Sequence, residues 1–527
     1  MTQPQPISAN VRDSLAQDAA VQDAAVRFLR LDPADNVLVA VTELPAGASI
    51  ENVICRQDIP AGHKLAATAI AAGEPVRKFG QIIGFAEGAI RAGEHIHEHN
   101  CTYAEFSRAQ QVGVDYRPTD FVPEAERATF QGYVREDGRV ATRNMIGVVT
   151  TVNCSATVAR AIVDRLRHQA LKDYPNVDDI VAFTHTGGCA TATTGETIET
   201  LQRTLGGFMR HPNLAGVLLL GLGCESNQGA ALLQHGGFAE GPGLRYMNIQ
   251  DMGGSRATME RGIEILLEML PRADAARRQT VSAEHLVLAL QCGGSDGYSG
   301  ITANPALGAA ADLVVRHGGT AILSETPEIY GAEQLLTRRA ASPAVAEKLL
   351  ARIRWWEEHV KATGGSMNNN PSHGNKKGGL TTILEKSLGA VAKGGTTGLM
   401  DVYKYAEPIT RRGFVFMDSP GHDPDSATGQ VASGGNIICF TTGRGSVYGC
   451  KPAPCLKLTT NTPLYEKMSE DMDIDCGVLL SGKTTVQKLG QQIFARVLEV
   501  ASGSKSKSEE FGFGDNEFVP WRIGAVM

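Results

Sequence analysis

From Asp35 to about Asn100 apolar residues come in brief alternating runs, among them NVLVAVTEL, ASIENVICRQDI and FGQIIGFAEGAI, separated by PAG, AAG and RAG turns. Alternation of this length, bounded by glycine, places one side of each strand inside and the other outside. Residues 35–103 therefore read as a small all-β barrel or clip. Ahead of it, residues 1–34 form an extension in which AQDAAVQDAAVRFLRL predicts a short helix. Behind it, residues 104–131 carry proline punctuation without a sustained period, which predicts a linker long enough to wrap over a neighbouring domain.

Near Gly132 the pattern changes to apolar runs followed by helical periods. NMIGVVTTVNC predicts a strand and SATVARAIVDRLRHQAL a helix with Ser155 as N-cap. DDIVAFTHTGGCA, TTGETIETLQRTLGGFMR, LAGVLLLGLGCES and MERGIEILLEML repeat the alternation, so residues 132–280 read as a Rossmann-like parallel α/β domain. HLVLALQCGG, NPALGAAADLVVRHG and GTAILSETPE open a second α/β unit, residues 281–527, whose stretch 365–470 is rich in Gly, Asn, Ser and Thr. The topology of that stretch does not follow from pattern.

Composition narrows the function. A chain of 527 residues with net charge −7 shows no basic surplus for nucleic acid, and no apolar run approaches a membrane span. Ten cysteines are too dilute for a disulfide scaffold, and the first 15 residues have no apolar signal core, so reducing cytoplasm is the expected location. Homo-oligomerisation stays open. A full GxGxxG spacing is missing, which argues against NAD.

Three groups of residues carry candidate chemistry. In GEHIHEHNC, strand alternation would put His95, His97 and His99 on one face, suited to a divalent transition metal or to acid–base work; His63 in PAGHK is a weaker companion. Cys154, Cys189, Cys224 and Cys292 each end an apolar run. Thiolates at a sheet edge suit iron, and Cys189, Cys224 and Cys292 could together hold a four-iron cluster with one open iron, with His185 and Glu225 nearby in sequence. For oxyanions, QCGGSDGYSGITANPALG offers Ser295, Asp296 and Asn304 ahead of an early-helix Pro305. PSHGNKKGG offers Asn375, Lys376 and Lys377, and FTTGRGSVYG offers Arg444 as a two-pronged carboxylate donor.

With these residues in view, the chain resembles the altronate/galactarate dehydratase family. The resemblance runs through FQGYVREDGRVATRN (130–144), HTGGC (185–189), GLGCESNQ (221–228), CGGSDGYSGITANPALG (292–308), SETPEIYGAEQLL (324–336), GNKKGG (374–379) and FTTGRGSVYG (440–449). It implies an N-terminal SAF-type β domain and an iron- or manganese-dependent dehydratase that forms 2-keto-3-deoxy acids. HIHEHN and PEIYGAEQLL lean toward the altronate branch, which implies conversion of D-altronate to 2-dehydro-3-deoxy-D-gluconate. Galactarate or another sugar acid is the alternative substrate. A sulfolactate sulfo-lyase branch resembles the same catalytic region but carries the β domain on a separate subunit. Lys377, Lys376 and His185 are then candidate bases, and His97 and His99 candidate acids or ligands. Ser295, Asp296, Asn304, Asn375 and Arg444 are candidate substrate contacts. One Fe2+ is expected on His95 and His97 or the cysteines, with Mn2+ as a replacement and the open-iron cluster as the alternative. His373 stands where the family commonly has proline. A rival of another class is a carbohydrate-binding β domain on an inactive scaffold.

Overall fold

The computed structural model describes residues 27–106 and 110–523, so most of the expected N-terminal helix lies outside the described residues. Its last residues are extended: Phe28–Leu29 pairs antiparallel with Val39 and Ala40, as the edge of a four-stranded sheet that continues through Lys64–Ala66 to His95–Ile96. The burial of Leu29 and Leu31 explains the difference, because both join the hydrophobic core that the β domain shares with the C-terminal domain. A three-stranded sheet, Pro75–Lys78, Gln81–Ala86 and Cys101–Thr102, and a two-stranded one complete the SAF-type β domain.

The segment after it runs along the C-terminal domain. The Asp115 carboxylate pairs with Arg338, and Val122 N–H donates to the Arg316 carbonyl. The chain then forms Thr129–Val134, which pairs antiparallel with Arg278–Ser282. Entry to and exit from the middle domain are thus adjacent strands. Arg143 locks this junction: its guanidinium binds Glu509 through Nε and Nη2 at 2.6 and 2.8 Å, and it donates to two further C-terminal carbonyls. The family-like segment 130–144 therefore has a structural explanation.

The middle domain has a four-stranded parallel sheet ordered Asp179–Phe183, Met145–Thr150, Leu214–Gly221, Leu244–Asn248. Helices Ala156–Gln169 and Ser255–Asp274 cover one face. Helix Glu196–Met209 covers the other, in a core continuous with that of the C-terminal domain. Ser155 takes the N-cap position, but its hydroxyl donates to the carbonyls of Val152 and Leu220 and does not cap the helix.

The C-terminal domain is built on a seven-stranded parallel sheet ordered Leu399–Tyr403, Gly413–Met417, Thr320–Leu323, Val287–Cys292, Ile437–Thr442, Cys455–Thr459, Ile474–Asp475. Four of these strands lie within the polar stretch 365–470, where each is only five or six residues long. Helix Val486–Ala501 shows how one face is closed. Thr485 caps its N-terminus by accepting from Lys488 N–H. Val486, Leu489, Ile493, Val497 and Val500 recur at helical spacing and are buried, each contributing about 1.5–3 kcal/mol. A side chain on Gly490 would sit 2.5 Å from Ala309 Cβ, so glycine sets the close approach to helix Ala303–Arg316. Among the described residues no helix is long and apolar enough to cross a membrane.

Candidate active site

The β domain meets the carboxyl edge of the seven-stranded sheet through the PAGHK turn. Gly62 has φ +82°, and its carbonyl is gripped between two glycines: a Cβ on Gly297 would lie 2.0 Å from that oxygen, and one on Gly379 2.4 Å. Only bare backbone fits. Two residues on, Lys64 enters a fully buried ion triad in which Glu385 receives Lys64 Nζ and Lys78 Nζ, each at 2.9 Å. Burial alone would raise the Glu385 carboxyl, but the two lysines outweigh it and hold the group ionised.

Four imidazoles collect above this seam. His95, His97 and His99 do not lie in one strand as expected. The strand ends at Ile96, and residues 97–100 turn back, with Asn100 N–H and Cys101 N–H both donating to the His97 carbonyl. The turn still gathers the rings: centroids lie 5.5 Å apart for His95 and His97, 5.6 Å for His95 and His99, and 4.9 Å for His63 and His97. Hydrogen bonds define the tautomers. His97 Nδ1 accepts from Glu98 N–H, so Nε2 donates to the Lys376 carbonyl at 2.8 Å. His63 Nε2 donates to the Lys377 carbonyl, which leaves His63 Nδ1 to accept from His95 Nε2 at 3.0 Å. Both nitrogens of His97 are thereby committed, whereas His95 keeps a lone pair on Nδ1. Burial, then Lys64, lowers the His63 pKa to about 4; burial, then His63, lowers that of His95 to about 3. Both are neutral at pH 7.

The turn that receives these imidazoles is PSHGNKKGG. Ser372 and Asn375 form a reciprocal capping box around the short helix His373–Lys377. His373, exposed at the first position of that helix, occupies a site where proline is also well tolerated. Asn375 spends its amide on Ser372 and on the Ser295 carbonyl at 2.9 Å, so it positions the turn. Asp296 is likewise occupied, accepting from Thr460, Ser299 and Tyr298, and Asn304 is held between Gly389 and Thr441. Ser295 is buried. Three cations remain at the surface of the seam. Lys376 Nζ lies 3.2 Å from Glu98, Lys377 is exposed, and Arg444 lays its Cδ 3.2 Å from the Cβ position of Gly378.

Below the surface, at the ends of adjacent strands, lies a second cluster. Cys292 Sγ is 3.3 Å from Glu328 Oε2, and Cys292, Glu325 and Glu328 present ligand atoms all within 4.8 Å of one another. Lys393 Nζ contacts the Cys292 sulfur at 2.8 Å and Glu325 at 3.1 Å, and Lys386 binds Glu328 at 2.8 Å. Burial and then the Glu328 charge raise the Glu325 pKa. For Glu328 burial also acts upward, but Lys386 and Lys393 prevail and lower it. Any proton held by the pair therefore resides on Glu325. Burial pushes the Cys292 thiol up, against the lowering effect of Lys393. Asp423, raised to about 6 by burial and Glu328, completes the acidic group.

The donor set, one soft sulfur and two hard carboxylates, is of a kind that could hold a divalent metal ion. Glu325 Oε1 is buried without any hydrogen-bond partner, as an oxygen reserved for a cation would be. Glu325 also holds a left-handed backbone, φ 71°, of the kind found at constrained functional positions. Of this cluster only Cys292 was singled out by sequence. Glu325 and Glu328 sit three apart after a strand in SETPE, a signal at the carboxyl edge that was readable, whereas Lys386 and Lys393 lie in a buried helical stretch with no signature. Lys386 connects the two clusters, since Nζ also reaches Asn375 at 3.3 Å.

His185, Cys189 and Cys224 lie elsewhere, on loops at the carboxyl edge of the middle sheet. His185 is buried with both nitrogens engaged, Nδ1 accepting from Gly187 N–H and Nε2 donating to the Thr150 carbonyl, and burial lowers its pKa to about 4. It forms part of the wall of a cavity of about 220 Å³, along with Arg160, Thr184 and Arg522.

Fold and site define a multidomain α/β protein whose β domain gathers imidazoles, ammonium groups and a guanidinium around a seam suited to small oxyanions. Three family models match in succession: the altronate/galactarate dehydratase SAF domain over residues 26–104, the D-galactarate dehydratase/altronate hydrolase second domain over 132–274, and the D-galactarate/altronate dehydratase C-terminal region over 283–526. Altronate dehydratase of Escherichia coli K12 is 35% identical over 506 residues, covering 95% of this chain and 100% of its own length. Altronate dehydratase of Bacillus subtilis 168 is 33% identical over 95% of this chain and 99% of its own, and the L-threo-forming galactarate dehydratase of Escherichia coli K12 is 34% identical over 92% and 95%. The chain belongs to the altronate/galactarate dehydratase family, and its family-level function is dehydration of a small sugar acid.

Proposed function

We propose that the protein is an altronate dehydratase, removing water from D-altronate to give 2-dehydro-3-deoxy-D-gluconate. The observation that carries this reading is the meeting of the His63/His95/His97/His99 cluster with the Lys376–Lys377 turn and Arg444, in a chain matched end to end by two altronate dehydratases. Arg444 holds the substrate carboxylate through paired N–H donors. Lys377 takes the proton from C2, with Lys376 beside it as the alternative base. His99 gives a proton to the hydroxyl leaving C3. The enol that results tautomerises to the keto acid. His97 and His63, bonded to the carbonyls of Lys376 and Lys377, hold the base-bearing turn in register with the imidazoles. Cys292, Glu325 and Glu328 would hold Fe2+, or Mn2+ in its place, which would supply a Lewis acid for substrate oxygens. Free thiols throughout fit a reducing compartment, and we read the protein as cytoplasmic.

Galactarate is the second reading, favoured by the nearly equal identity to the galactarate dehydratase and by the exposed lysines, which offer an anchor for a second terminal carboxylate. Turnover of the iron-loaded enzyme with altronate, galactarate, glucarate and sulfolactate in parallel tests both. Keto-acid release fastest from altronate is expected. A clear preference for galactarate replaces the first reading with the second, and sulfite release from sulfolactate alone overturns both.

A further inference from the structure

All ten cysteines are described, and all are free; seven are buried, while the three exposed ones, Cys154, Cys189 and Cys224, follow three adjacent strands of the middle sheet. Cysteine is among the residues most often buried, so three exposed thiols at one sheet edge are unexpected on packing grounds. Their loops are stitched together pairwise. Asn153 N–H donates to the Gly187 carbonyl at 3.0 Å, and Asn227 N–H to the Gly188 carbonyl at 3.1 Å. Asn227 Nδ2 reaches the Thr151 carbonyl, and the buried Glu225 carboxylate accepts from the Thr151 hydroxyl and from Gly223 N–H. Gly188 makes the approach possible, because a Cβ there would lie 2.3 Å from Thr151 O. Cys154 stands just before the 14-residue helix Ala156–Gln169, whose N-terminus favours negative charge.

We propose that Cys154, Cys189 and Cys224 bind a four-iron, four-sulfide cluster that leaves its fourth iron without a protein thiolate. Cys292 is excluded from this set because its sulfur is buried in the C-terminal domain against Lys393 and Glu328. Spacing disfavours a single shared ion. Metal–sulfur bonds of about 2.3 Å would keep three thiolates around one tetrahedral ion within about 4 Å of each other. The three sulfurs here do not all lie within 4.8 Å, and a cluster holds each on a separate iron. The cavity lined by His185, Arg160 and Arg522 also takes Gly187 and Gly188, next to Cys189, into its wall, so it adjoins the proposed open iron. The inference does not rest on the sugar-acid reading.

The test is anaerobic isolation of the full chain, followed by reconstitution with ferrous iron and sulfide and measurement of iron, labile sulfide and visible absorption. About four sulfides per chain are expected. Cys154→Ser, Cys189→Ser and Cys224→Ser should each remove most of the sulfide while leaving circular dichroism and thermal midpoint unchanged, and Cys292→Ser should retain it. Iron without sulfide, zinc in its place, or sulfide retained in all three of the exposed-thiol variants would overturn the proposal. None of these readouts requires turnover.

Discussion

Lys64 Nζ lies 2.9 Å from Glu385 Oε2 with both side chains fully buried, although 321 positions separate them. Lys78 completes the triad from the same β domain, so one carboxylate bridges two lysines across the interface. Glu385→Gln leaves both lysines uncompensated and should destabilise by about 3–5 kcal/mol, read as a lowered thermal midpoint and faster proteolysis between the domains. A Lys64→Met, Lys78→Met, Glu385→Leu triple variant should recover most of that loss. If the single variant melts like the parent, the triad does not hold the domains together.

The close approach at Gly62 makes a steric prediction. Gly297→Ala places a methyl 2.0 Å from the Gly62 carbonyl, which is backbone and cannot rotate away. The β domain must shift, at a cost of about 1–3 kcal/mol. Turnover should fall at least tenfold while secondary structure by circular dichroism is kept, because the histidines would move relative to Lys376 and Lys377.

Asp35 predicts a pH dependence of stability. Burial raises its pKa to about 7, although it accepts N–H bonds from Phe79 and Gly80. A folded-state pKa above the unfolded value means that the protonated form is favoured on folding. Its stabilising contribution is therefore complete below about pH 4 and is lost as pH rises through about 7. Asp35→Asn should flatten the unfolding free energy between pH 4 and 7, as followed by urea denaturation at several pH values. An equally steep profile in the variant would assign the dependence to another group.

Metal retention separates the buried cluster from the surface of the seam. Glu328→Gln removes a charged ligand and should lower the iron held in excess of labile sulfide at least tenfold after dialysis, measured by elemental analysis beside a sulfide assay. Lys377→Ala should keep its iron and lose turnover. Iron loss in the lysine variant with none in the glutamate variant would reverse the assignment.

Arg444 should act on binding more than on chemistry. Arg444→Lys keeps the charge but loses the planar pair of donors, and a tenfold or greater rise in KM for altronate is expected with a smaller change in kcat. An unchanged KM would place the carboxylate elsewhere.

Local pattern was enough for much of this. Glycine-bounded alternation defined the β domain, and LAGVLLLG defined a buried strand, because each depends on neighbours within a few residues. The residue types of the seam were also legible: His63, His95, His97, His99, Lys376, Lys377 and Arg444 all stood out in glycine-rich or polar turns. What pattern could not supply was pairing across long separations. His97 looks like a ligand in its strand-like alternation, yet the turn after Ile96 commits both its nitrogens to backbone. Asn304 and Asp296 look like substrate groups, yet packing consumes their polar atoms. Glu325, Glu328, Lys386 and Lys393 form the buried charged cluster only because strand ends and a helix far apart in the chain converge there. Cys154 joins Cys189 and Cys224 for the same reason, through the order of parallel strands. Sequence determined which groups have the chemistry and which short elements carry them; the tertiary structure alone decided which lone pairs and charges remain unspent, because that depends on hydrogen bonds and desolvation imposed by residues hundreds of positions away.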